Sequence, residues 1–185
     1  MLLNPSRVFP GIVAAALLHA SAPASHAEQP AIRSRYTTLV PEQCRLLRTH
    51  AETSATDHRC PGVAGYALEM ADDDARMSIT VVAPNGTRHP LNYWSVVTHN
   101  FSSLGPRAEW RLNGAGRGTP IALIVRVNAN EHPERPSRVT SYLAVATISP
   151  RRVCVTHRIP PSATANEQAR RAADRSASAP CLRER

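Results

Sequence analysis

The sequence predicts a mainly β protein: a single antiparallel domain, barrel- or sandwich-like, with one short C-terminal helix and two disulfides. Three observations carry this expectation. Apolar or alternating runs of strand length recur, clearest at residues 77–83 (MSITVVA), 120–128 (PIALIVRVN) and 140–149 (TSYLAVATIS). Turn signals separate them, the strongest being Pro84-Asn85-Gly86, because Asn-Gly accepts the positive φ angles of a tight hairpin. Four cysteines, an even number, stand in a chain that opens like an exported one.

Taken in order, residues 1–27 read as a signal peptide. Arg7 precedes a short apolar run (GIVAAALL), and a small-residue stretch ends at Ser25-His26-Ala27. That run is shorter than the about 20 residues a bilayer span needs. Residues 28–35 read as a flexible leader, and 36–182 as one β-rich domain. A first weak strand is expected at 36–40 and a short strand or helical turn at 44–48. A polar surface loop at 50–58 comes next, closed by Cys60-Pro61-Gly62, and then a strand at 65–70. Asp72, Asp73 and Asp74 repel one another and belong in a solvated turn, paired with Arg76. A calcium site is the rival reading, but the EF-hand glycine and glutamate are missing.

In the 77–83 strand Met77, Ile79, Val81 and Ala83 face inward and Ser78 and Thr80 outward. Its hairpin returns through 87–94, and 93–98 (YWSVVT) reads as continuing strand. Residues 99–106 read as a loop, 108–112 as a strand, and the glycine-rich 114–118 as a hairpin connection. The 120–128 run is the longest apolar stretch after the N-terminus and is expected to be a central strand. Its Ile121, Leu123, Val125 and Val127 share one face. On the other face Arg126 and Asn128 need water or a partner. The 140–149 strand is expected antiparallel to it, followed by a strand at 153–159. A helix over about 165–177 is expected, with Thr164 and Glu167 as a capping box. Ala165, Ala169, Ala172 and Ala173 form a small-residue stripe suited to lying against a sheet.

Proximity in sequence pairs Cys44 with Cys60 and Cys154 with Cys181. No C-x2-C or H-x3-H spacing points to zinc. All 22 basic residues are arginine, and the formal net charge is +8. The lack of lysine excludes a Schiff base, a P-loop lysine and a Ser-Lys dyad. In an exported chain the basic balance suits acidic envelope surfaces or polyanions better than nucleic acid, and a solvated surface with no dedicated partner better still.

Several stretches resemble a family of exported proteobacterial proteins of unknown function. They include Tyr36-Thr37-Thr38-Leu39, Cys60-Pro61-Gly62, Asp73-Asp74-Ala75-Arg76-Met77-Ser78, Asn92-Tyr93-Trp94-Ser95-Val96-Val97, Glu109-Trp110-Arg111, Ile124-Val125-Arg126-Val127 and Ser141-Tyr142-Leu143. The resemblance implies export and disulfides and carries no catalytic residue across.

Nucleophile, zinc-protease, redox and phosphate-loop motifs are missing, so no catalytic residue, metal or cofactor is expected. His50, His58, His89, His99, His132 and His157 are scattered, and Asp73, Asp74 and Glu109 are the only acids worth nominating for a hydrolase. The candidate binding residues are Tyr93, Trp94, Trp110 and Arg111, which line one groove if their strands are neighbours. The plainer reading puts both indoles in the core. The sequence therefore leads to an expectation of a non-enzymatic, periplasmic or secreted β-domain that binds an envelope protein or polyanion. An envelope hydrolase is the alternative.

Overall fold

The computed structural model describes Met1 and residues 31–53, 55–114, 118–132, 134–135 and 137–184. Residues 2–27 of the expected signal peptide, with its cleavage point, lie outside the described residues. Among the described residues ten strands and two α-helices follow one another: β1 (Arg33–Thr38), β2 (Arg45–Thr49), β3 (Thr56–Pro61), β4 (Ala67–Asp73), β5 (Arg76–Val82), β6 (Arg88–Pro90), α1 (Tyr93–Val96), β7 (Ser102–Asn113), β8 (Thr119–Ala129), β9 (Thr140–Ser149), β10 (Arg152–Ile159) and α2 (Ala165–Asp174).

The strand order is β10-β9-β8-β7-β5-β4-β3-β2, with β1 also on β7 and β6 also on β5. Pairing is antiparallel except where β5 meets β7 at a single parallel bridge, Arg76 to Ser102. Beyond that bridge β7 pairs with β1 instead. The sheet therefore bends at β7 and does not close into a barrel. One buried cluster takes Leu68 and Met70 from β4, Ile79 and Val81 from β5, Trp110 and Leu112 from β7, and Leu123, Val125 and Val127 from β8. Residues from both halves meet in it, which makes the arrangement sandwich-like.

A second cluster lies on the other face of β8 and β9. Ala122, Ile124, Leu143 and Val145 meet Ala165, Ala169 and Ala173 of α2 there. Strands β8 and β9 are thus covered on both faces, which is why they read as almost continuous apolar runs. The alanine stripe buries little: at about 0.8 kcal/mol per methyl-sized group, three methyls contribute about 2–3 kcal/mol. A helix this short is marginal alone. Its other anchors are the Cys154–Cys181 disulfide and two ion pairs to β7. Cys44–Cys60 is the second disulfide, and both match the expected pairing.

The structure differs from the sequence expectations in several places: α2 stops at Asp174, short of the expected 177, and Asp72 and Asp73 end strand β4 instead of lying in its turn. Strand β1 starts at Arg33, within the expected leader, because Arg33 to Thr38 pair with Leu112 to Arg107 of β7. The polar segment before Cys60 is strand β3 from Thr56 onward. Ion pairs hold it rather than apolar alternation: Arg59 bonds Glu69 across the β3–β4 pair at 2.8 Å, and His50 contacts Asp57 at 3.2 Å. The expected strand at 93–98 is the single-turn helix α1. Asn92, with φ 46° and ψ 51°, turns the chain, and Tyr93, Val96 and Val97 are buried together. Those three also satisfy helical i, i+3, i+4 spacing, and burial overrides the strand propensity of their types.

Strand β7 begins at Ser102, inside the expected loop. Its register on β8 shifts between Leu104 and Ala108, so Gly105-Pro106-Arg107 form a bulge. Finally, the capping box does not form. Thr164 has φ −108° and ψ 13°, away from the extended geometry an N-cap uses, and makes no cap hydrogen bond. Its hydroxyl accepts from Gln168 at 2.8 Å, and Glu167 pairs with Arg171.

Candidate functional site

The four residues singled out by sequence do not form a groove. Tyr93 and Trp94 sit on α1, where one turn sends them apart: Tyr93 is buried, and Trp94 is 49% exposed with its ring edge against His99. Burial pushes the Tyr93 hydroxyl pKa up. Trp110 and Arg111 are consecutive on β7 and so point to opposite faces. Trp110 is wholly buried in the core, its indole N–H donating to Thr37 Oγ1 at 2.9 Å and its ring tilted against Tyr66. Gly62 passes directly beneath that indole, and a Cβ there would lie 3.0 Å from the Trp110 ring and 2.4 Å from the Tyr66 carbonyl oxygen.

Arg111 points to the α2 side, where the chemistry collects. Its guanidinium grips the Asp174 carboxylate with Nε to Oδ1 at 2.7 Å and Nη2 to Oδ2 at 2.8 Å, and Nη1 donates to Ser34 Oγ. Two residues back on the same face, Glu109 accepts from Arg170 Nε at 2.7 Å and from the Ser34 hydroxyl. Arg170 also reaches the Tyr36 hydroxyl at 3.0 Å. Burial alone would push the Glu109 carboxyl up. Hydrogen bonds from Arg170 and Ser34, the Arg170 charge and a hydrogen bond from Tyr36 together outweigh it, and Glu109 is held below the usual carboxylate range. Arg170 is correspondingly raised, by its hydrogen bond to Glu109 and then by that charge.

Beside these pairs a groove of about 540 Å³ opens between α2 and the sheet. Ile124, Leu143 and Ala169 floor it, and Tyr36, Arg107, Arg126 and Asn166 rim it with Glu109 and Arg170. The β7 bulge delivers Arg107, whose guanidinium lies 5.7 Å from the centre of the Tyr36 ring. Gly105 in the same bulge lets the Arg126 stem cross β7; a Cβ there would come within 2.8 Å of Arg126 Cβ. Arg126 donates to Ser141 Oγ at 2.8 Å and to Asn166 Oδ1 at 3.5 Å, both neutral groups. Among the described residues neither Arg107 nor Arg126 makes an ion pair, and the only carboxylate in the groove is already held by Arg170. The groove is a cationic cleft with unspent guanidinium capacity, suited to an oxyanion.

Sequence reasoning noticed that Arg126 breaks an apolar strand face and needs a partner. It missed Arg107, hidden in a segment read as loop, and Arg170, one of several exposed-looking arginines. The nominated acids lie apart. Asp74 pairs with Arg76 at 2.8 Å in the β4–β5 turn, Asp73 ends β4, and Glu109 sits under α2. Among the described residues no group of three His, Cys, Asp or Glu side chains is placed to hold a metal ion, and no helix is long and apolar enough to cross a membrane. No family model, curated protein or solved structure matches the chain.

Proposed function

We propose that this chain is an exported, non-enzymatic β-domain that binds an anionic envelope partner in the groove beneath α2. The observation that carries the reading is the convergence of Arg107 and Arg126 on a groove whose single carboxylate is already neutralised. An incoming phosphate or carboxylate meets two guanidiniums with no acid to displace. Two disulfides support an oxidising compartment, and the signal-like opening of the chain agrees with export. The separation of Asp73 and Asp74 from Glu109, and the ionised state enforced on Glu109 by Arg170, favour binding over acid–base hydrolysis.

The test is calorimetric titration of the disulfide-bonded protein with pyrophosphate at low salt. R107Q/R126Q is expected to weaken binding by about tenfold or more, since each charge-assisted contact removed is a substantial share of so small a ligand's affinity. Unchanged affinity in the double variant, or no binding by the wild type, overturns the reading.

A further inference from the structure

Helix α2 has a second groove on its opposite flank. It measures about 480 Å³ and is lined by His157, Gln168, Arg171, Ala172, Arg175 and Ser178. At 100° per residue, Asn166, Ala169 and Arg170 fall on one side of the helix and Gln168, Arg171 and Ala172 on the other, and Arg175, just past the helix end, joins the second set in lining the groove. The consecutive pair Arg170-Arg171 therefore puts one guanidinium toward each groove. Arg171 is 57% exposed and has only a loose contact at 3.5 Å with Glu167. Among the described residues Arg175 makes no ion pair. Asp174, the residue before Arg175, is taken by Arg111. Of the two α2 acids, Asp174 is held by β7 and Glu167 only loosely by Arg171, and arginines remain on both flanks.

We propose that the ligand is a linear polyanion that straddles α2, with one end on Arg107 and Arg126 and a later segment on Arg171 and Arg175. This rests on the groove reading above and adds the ligand's shape. The helix is about 10–12 Å across with its side chains, so a single pyrophosphate cannot reach both grooves. A continuous chain gains the second contact as an intramolecular event, with a large rise in apparent affinity. His157 fits the same picture. Burial and then the charge of Arg175 hold its pKa down, and an oxyanion seated between the two would relieve that repulsion. The competing role for Arg171 and Arg175 is to complement the negative C-terminal end of α2. That role predicts a loss of melting temperature and no change in binding.

The experiment compares pyrophosphate with long-chain polyphosphate, and with poly-L-glutamate as the carboxylate arm, on the disulfide-bonded protein. Melting temperatures are recorded for every variant. R171Q/R175Q is expected to weaken the long chain about tenfold while leaving pyrophosphate within about twofold. Loss of two contacts should lower the slope of log affinity against log salt by about 1.4, the value for a flexible single-stranded polyanion. R45Q/R48Q on the distant exposed strand β2 controls for bulk charge and should change the long chain less than about threefold. Preference for polyphosphate over polyglutamate, or the reverse, supports the proposal and assigns the charged group. A long chain insensitive to R171Q/R175Q, or equally sensitive to R45Q/R48Q, overturns the straddling mode. If R107Q/R126Q still abolishes binding in that case, the first groove stands alone; if it too is silent, both readings fail.

Discussion

The Arg111–Asp174 pair offers a direct measure of what holds α2 on the sheet. Asp174→Asn removes the charge and keeps the shape. Breaking a fully buried pair from one side costs about 3–5 kcal/mol, because the remaining charge is stranded. Here the Arg111 side chain is 10% exposed and Asp174 28%, and Arg111 keeps Ser34 and has Glu109 at 3.8 Å. Relief of an acid at the helix C-terminus returns a further few tenths of a kcal/mol. The net loss is therefore about 2 kcal/mol, or a fall in Tm of about 4–8 °C for a domain of this size. Urea unfolding at pH 7 reads it, and amide exchange over 165–174 shows whether α2 opens before the rest. R111M/D174L removes both charges together and should lose less than about 1 kcal/mol. A D174N variant within about 0.5 kcal/mol of wild type, or a double variant as unstable as the single one, would refute the reasoning.

Four further outcomes follow from the same geometry. C154S/C181S opens a link across 27 positions of sequence and should cost roughly 3–4 kcal/mol by chain entropy, read as a lower urea midpoint; an unchanged midpoint would remove the disulfide from the account. Acrylamide should quench about half of the native tryptophan emission, since Trp94 is exposed and Trp110 is not; quenching of both rings would contradict the core position of Trp110. Glu109, held low in the folded state, contributes stability that is complete at neutral pH and is lost as pH falls through and below the ordinary carboxyl range, so E109Q should flatten the stability profile between about pH 5 and pH 2, and a parallel profile in the variant would argue against it. His157 works with the same sign in another window: its lowered pKa favours the neutral form, so stability falls as pH drops below about 6.5, and R175Q should move its NMR titration upward.

Legibility of the fold tracked the source of each element's stability. Strands β8 and β9 were plain because both faces are buried, by the core on one side and the α2 alanines on the other. The stripe Ala165, Ala169, Ala172 and Ala173 was readable for the same reason, as were both disulfides. Strand β3 was not readable, because the Arg59–Glu69 pair holds it by charge across strands that sequence alone does not align. The helical turn α1 carried a signal in the spacing of Tyr93, Val96 and Val97, but the branched residues outvoted it. The groove was half visible. Arg126 announced itself by interrupting an apolar face. Arg107 depends on a bulge at Gly105-Pro106 that no periodicity marks, and Arg170 on a helix position whose partner, Glu109, is 61 residues away.

The chain beyond α2 has one more effect on the molecule. Cys181 is tied to β10, and the next residue, Leu182, donates its N–H to the Val155 carbonyl at 2.8 Å. Among the described residues β10 hydrogen-bonds to no strand but β9, so this tether covers part of a margin that could otherwise pair with another chain. Strand β2, at the opposite end of the strand order, has no such cover among the described residues. Two vacant margins at opposite ends let copies join without limit, whereas losing one of them removes that route. Reduction of Cys154–Cys181 would loosen that tether and leave the β10 margin easier for another strand to reach.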